Sequence, residues 1–169
     1  MKGTRILIAS PTRGVYEDVI VGDTSKPGTV MEMKPATEPI GNLFTYRAYG
    51  TQAASGGNFV SNDGDRKAIA VLLEKDDEAK IYSDAYVAND RGRVYFPATG
   101  EELNMLVANI AGTGDAFAIG DELMVNDGDG KLIACDSDAE AHPFTVRETV
   151  AALAADAWVR CRFNGEGGA

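Results

Sequence analysis

A chain of 169 residues defaults to one domain and can bury roughly 70% of its unfolded surface, so it needs neither a metal nor a disulfide as a staple. A formal net charge of −10 and a sequence pI near 4.5 make its surface anionic, which repels phosphate backbones and serves solubility, a basic partner or life in high salt. The Lys and Arg are scattered, and their densest groups (Arg66-Lys67; Arg91 and Arg93; Arg160 and Arg162) are too short for a basic patch, so nucleic-acid binding is not expected.

Residues 1–13, MKGTRILIASPTR, read as an N-terminal arm. Ile6, Leu7 and Ile8 are consecutive apolar residues closed by Ser10-Pro11. Such a segment either pairs with the domain's own sheet or adds to a neighbouring subunit's exposed sheet edge. The run is far too short for a leader h-region or a membrane span, so no membrane and a reducing interior are expected. The two cysteines, Cys135 and Cys161, lie in apolar strand-like runs and outside any C-x-x-C. Packing as small hydrophobes is the simpler reading, with a cross-strand disulfide left open.

The body begins with VYEDVIV at 15–21, followed by a Pro27-Gly28 turn. TVMEMK at 29–34 alternates, and FTYRAY at 44–49 is an aromatic-rich strand. Residues 50–66 carry four glycines and several Asn and Asp, and read as a long loop. AIAVLLE at 68–74 is near-continuously apolar, as in a strand buried on both faces. A strand around Tyr82 to Val87, the turn Asn89-Asp90-Arg91-Gly92 and the run Arg93 to Phe96 follow.

Segment 99–110 fits two patterns. Thr99 with Glu102 matches a capping box and Leu103, Leu106, Val107 and Ile110 have helical spacing, whereas Leu103, Met105 and Val107 alternate. Its surroundings favour a strand. Residues 116–135 form a hairpin pattern around Asn126-Asp127-Gly128-Asp129-Gly130. Strands then follow at 144–150 and 158–163; in the second, Val159, Cys161 and Phe163 share one face and Trp158, Arg160 and Arg162 the other. Residues 164–169 are a tail. The sum is an all-β barrel or sandwich of roughly ten short antiparallel strands with at most one short helix. One echo, Asn62 to Asp65 against Asn126 to Asp129, reads as two related hairpins or as chance.

Chemistry is sparse. His142 is the single histidine; Ser137 and Asp138 are its nearest triad candidates, without a G-x-S-x-G elbow, so an exposed loop histidine is expected. One His and two isolated Cys give no zinc spacing. Placing Gly130 at the sixth position of a calcium loop puts Val125 where the first ligand belongs, so Asp127 and Asp129 read as turn residues. Gly112-x-Gly114-Asp115 lacks the lysine of a P-loop. No catalytic residue, cofactor or metal is assigned.

The order of several phrases carries a resemblance. Lys26-Pro27-Gly28-Thr29-Val30, Ala68 to Glu74, Tyr82 to Val87, Val94-Tyr95-Phe96-Pro97 and Gly100-Glu101-Glu102-Leu103 come first. Ile119-Gly120-Asp121-x-Leu123, Asp129-Gly130-Lys131-Leu132 and Val159-Arg160-Cys161-Arg162-Phe163 follow. Over about residues 15–163 this resembles the head decoration, or cement, proteins of tailed viruses (bacteriophages). The resemblance implies a small β-barrel on the outside of the virion, bridging neighbouring major capsid proteins and stabilising the expanded shell. It also implies a homo-oligomer, a trimer ahead of a dimer. On that reading Arg5, Ile6, Leu7 and Ile8 of the arm, with the 50–66 loop, are the candidate capsid-binding elements. The alternative is a carbohydrate- or ligand-binding β-module for host attachment, using aromatics such as Tyr46, Tyr49 or Trp158. A hydrolase working through His142 is a third.

Overall fold

The computed structural model describes residues 6–9, 15–33, 40–48, 69–74, 83–109, 116–126, 129–135 and 142–165. The described residues are all-β and contain no helix. The strands are β1 (Leu7–Ala9), β2 (Val15–Val21), β3 (Val30–Met33), β4 (Thr45–Ala48), β5 (Ala70–Leu72), β6 (Arg91–Phe96), β7 (Glu102–Val107), β8 (Glu122–Val125), β9 (Leu132–Ala134), β10 (Phe144–Val146) and β11 (Ala157–Phe163). Segment 99–110 is therefore a strand at its centre. The expected strand at 82–87 is reduced, among described residues, to a bridge between Tyr86 and Ser25. The 50–66 loop, Tyr49 and Tyr82 lie outside the described residues.

Strands β2 to β6 close a barrel in the order β2-β4-β3-β5-β6. Every neighbouring pair is antiparallel except β2 with β4, where Ile20 faces Thr45. The remaining strands form a sheet ordered β1-β7-β11-β10-β8-β9. Its far strand also returns to β7 in parallel, with Val107 opposite Leu132. The ring β7-β9-β8-β10-β11 is thus closed by the same sequence of pairings, again with one parallel contact between its first and third strands.

The two rings are copies of one topology, and the match holds residue by residue. The bridge between Ser25 and Tyr86 recurs between Phe117 and Val150. From there the pairings set Gly28 on Gly120, Met31 on Leu123, Tyr46 on Leu132, Ala70 on Phe144, Leu72 on Val146 and Val94 on Cys161. Along the first strand, Val19 falls on Met105 and Val21 on Val107. All of the inward residues named here from Met31 onward are buried in both copies. The repeat is not the Asn-Asp-Gly-Asp echo. Residues 126–129 join β8 to β9, whose counterparts are β3 and β4, whereas 62–65 fall between β4 and β5 and outside the described residues.

The barrels share a wall. In β5 the alternation sends Ala70 and Leu72 into the first barrel, while Ile69, Val71 and Leu73 join the cluster that fills the second. Val30 of β3 and Tyr95 of β6 join them. This is why the run at 68–74 reads as apolar on both faces. The contact is made at the second barrel's seam. Between the β1 and β9 contacts, the Leu106 N–H donates to Gly28 O, and the Val30 N–H donates to Gly130 O. Gly28 has φ +88°, and an added Cβ would lie 2.9 Å from Leu106 N and 3.0 Å from Asn104 O, so only glycine fits.

Candidate functional site

One end of the first barrel gathers the start of β2, the end of β3, the start of β4 and the end of β6, because β2 and β4 run parallel and the others antiparallel. Large apolar side chains stay in water there. Val15 is 64% exposed, and Tyr16, Met33, Ile40 and Phe44 are each more than two-fifths exposed. Phe44 sits at this end because its carbonyl accepts from the Ile20 N–H, and Ile40 because it bridges to Leu43. Aromatic rings pack around this end. Tyr16 packs on Tyr95 with ring centroids 4.9 Å apart, and Tyr46 meets Phe96 edge-on. The Tyr46 hydroxyl donates to Glu17, and burial, followed by the Glu17 charge, pushes that phenol up to about 12. Exposed apolar side chains at one end of the barrel make this end the candidate contact surface.

The arm is placed differently from a free arm. Leu7–Ala9 pair with β7 of the same chain, Leu7 opposite Leu103. Ile6 is fully buried in the shared cluster, and its N–H donates to the Glu74 carboxylate. Of the two readings of this segment, the chain's own sheet is the observed one. Arg5 lies outside the described residues, and for Leu7 and Ile8 the backbone pairing alone is defined.

His142 is buried rather than exposed in a loop. The chain leaving β9 and the chain entering β10 flank β8, and this brings three groups together. The His142 Nδ1 lies 3.2 Å from Cys135 Sγ, and its Nε2 lies 3.4 Å from the Glu122 carboxylate. Asn164 Nδ2 donates to the His142 carbonyl and fixes the backbone. Sequence spacing hid this cluster because its members approach only through strand order. Ser137 and Asp138, the triad candidates in sequence, lie outside the described residues. Neither cysteine is in a disulfide.

Other candidates are held by local structure. Asp129 accepts from Asn126 Nδ2, from the Lys131 N–H and from Lys131 Nζ, which is the bonding of a turn; Asp127 is outside the described residues. Tyr46 is buried, and Trp158 is half-buried with its indole N–H on Pro27 O and Lys26 over its ring. Neither offers a flat aromatic platform for a sugar. Among known proteins, no family model matches this chain and no curated sequence is similar to it.

Proposed function

We propose that this chain is a non-enzymatic structural protein of a tailed virus. It decorates the outside of the assembled head, where it bridges neighbouring major capsid subunits as a homo-oligomer. The observation that carries this reading is the exposed apolar end of the first barrel, Val15, Tyr16, Met33, Ile40 and Phe44, on a stiff twin-barrel body. The resemblance of its phrase order to decoration proteins is in keeping with it. A clip of this kind holds a lattice by binding the expanded arrangement better than the unexpanded one, so the shell gains stability equal to that differential affinity. Several modest contacts per oligomer suffice, because each engages more than one subunit. The acidic remainder of the surface keeps the particle apart from released nucleic acid.

The test is co-sedimentation of the chain with expanded, empty heads of the virus that encodes it, followed by electron microscopy of the decorated particles. Binding to expanded heads but not to unexpanded ones is expected. Tyr16→Glu combined with Phe44→Glu should weaken it more than tenfold while leaving the β spectrum intact. Undiminished binding by the double variant would move the contact elsewhere, and no binding by the wild type would reject the function.

A further inference from the structure

The two cysteines stand in opposite surroundings. Cys161 is fully buried inside the second barrel, its Sγ against the Val159 carbonyl, and burial followed by the Glu148 charge pushes its thiol far above the ordinary range. Such a thiol is inert. Cys135 is partly exposed at the end of β9 and has an imidazole nitrogen at 3.2 Å. The other imidazole nitrogen faces Glu122, whose side chain is half-exposed. A thiol next to an imidazole that is itself oriented by a carboxylate is the arrangement that activates a sulfur nucleophile. The Glu122 carboxylate 3.4 Å from Nε2 favours the tautomer with its proton on Nε2, which leaves Nδ1 as the proton acceptor.

We propose that Cys135 is a nucleophilic thiol that forms a mixed disulfide with a low-molecular-weight disulfide, with His142 as its proton acceptor and Glu122 as the residue that positions His142. In the step, the Cys135 S–H proton passes to His142 Nδ1 and the sulfur attacks one sulfur of the incoming disulfide. That S–S bond breaks as the Cys135 S–S bond forms, and the departing thiolate takes the proton from the imidazolium. One disulfide is consumed and one mixed disulfide and one thiol are produced, so no other oxidant is needed. Among the described residues, Glu122 on β8 is the charged group that faces the imidazole. The reaction is stoichiometric and independent of the contact surface proposed above.

The experiment uses the whole chain and the neutral probe 4,4′-dithiodipyridine, with glutathione disulfide as a second probe. Peptide mapping should place a single adduct on Cys135 and none on Cys161. An ordinary thiol with pKa about 8.5 slows about 150-fold between pH 8.5 and pH 6, because its thiolate fraction falls by that factor. Cys135 should slow less than about tenfold. His142→Asn should restore the steep dependence, and Glu122→Gln should fall between. Wild-type protein with the slope of an ordinary thiol, a variant His142→Asn with the wild-type slope, or label on Cys161 instead would each overturn the proposal. If His142→Asn opens the barrel, Cys161 becomes labelled as well, and the wild-type slope measured beside free glutathione then decides alone.

Discussion

Gly28 and Gly120 occupy the same place in the two copies, each three residues after the bridge that starts its hairpin, and each has a positive φ. They differ in what surrounds them. An added Cβ at Gly120 meets nothing within 4 Å, whereas at Gly28 it lies 2.9 Å from Leu106 N, 3.0 Å from Asn104 O and 3.2 Å from the Trp158 ring. Gly120→Ala should therefore cost only the left-handed backbone strain, about 1–2 kcal/mol. Gly28→Ala adds the loss of the bond from the Leu106 N–H to Gly28 O, at 3.0 Å, which leaves a buried donor unpaired. That adds about 1–3 kcal/mol, for a total of about 2–5 kcal/mol. The difference between the variants measures the joint between the barrels. Urea unfolding should give it as a shift in midpoint at constant slope, and thermal unfolding as an extra drop of about 2–12 °C for a chain of this size. The emission of Trp158, the one tryptophan, should change with Gly28→Ala and not with Gly120→Ala, because its indole N–H bonds to Pro27 O. Equal costs for the two variants would refute the docking of Gly28 against β7.

Ile6→Ala empties a fully buried position of the shared cluster and should cost about 2–4 kcal/mol in chemical denaturation; a cost below about 0.5 kcal/mol would mean that the arm adds nothing to the core. Tyr46 sets a pH dependence at the alkaline end. Its folded pKa of about 12 lies above the unfolded value near 10, so its contribution is complete below pH 10 and is lost as pH rises from about 10 to about 12. After discounting for solvent at the barrel mouth this is about 1–2 kcal/mol, and Tyr46→Phe should flatten the stability curve over that window by this amount. Parallel curves for wild type and variant would show that Tyr46 is neither buried nor held against Glu17 in solution as it is here.

Strand positions were legible because alternation is a local signal. Residues 15–21 form β2 as expected, and the facing of Val159, Cys161 and Phe163 against Arg160 and Arg162 matches the observed burial. The doubled barrel was not legible. The matched interior pairs (Val19 and Met105, Ala70 and Phe144, Tyr46 and Leu132) share only apolar character. A core constrains volume and hydrophobicity more than identity, so two copies of one fold can lose their resemblance in sequence while keeping their pairing. The Asn-Asp-Gly-Asp echo, readable as related hairpins or as chance, does not fall at matched positions of the two copies. Turn chemistry is generic, and the same phrase serves unrelated connections. The two sites were not legible, on the same ground. The apolar end depends on which strand termini meet, and the Cys135–His142 contact on β8 lying between β9 and β10. His142 did carry one cue, a lone histidine beside Pro143 at the mouth of an apolar strand, but spacing could not name its partner.

The same end of each barrel has opposite character, and strand order explains why. Val15, Met33 and Phe44, exposed in the first copy, correspond by register to Glu101, Val125 and Gly130 in the second, and all three of these are buried. Among the described residues, the second copy's end is closed by additions that the first does not show. β1 lies along the start of β7, and the Glu101 carboxylate accepts from the Tyr95 hydroxyl and the Ala98 N–H. Its seam, joined by the single pair Val107 and Leu132, is filled by Gly28 and Val30 of the first copy. The second barrel thus satisfies its exposed edges within the chain and acts as a base. The first gives up one side wall to that base, and its described apolar side chains at this end stay exposed. Exposed apolar surface carries a cost in solubility, and in a duplicated fold either copy could have closed it in the same way. Among the described residues, then, strand order alone closes one copy at this end and leaves the apolar side chains of the other in water.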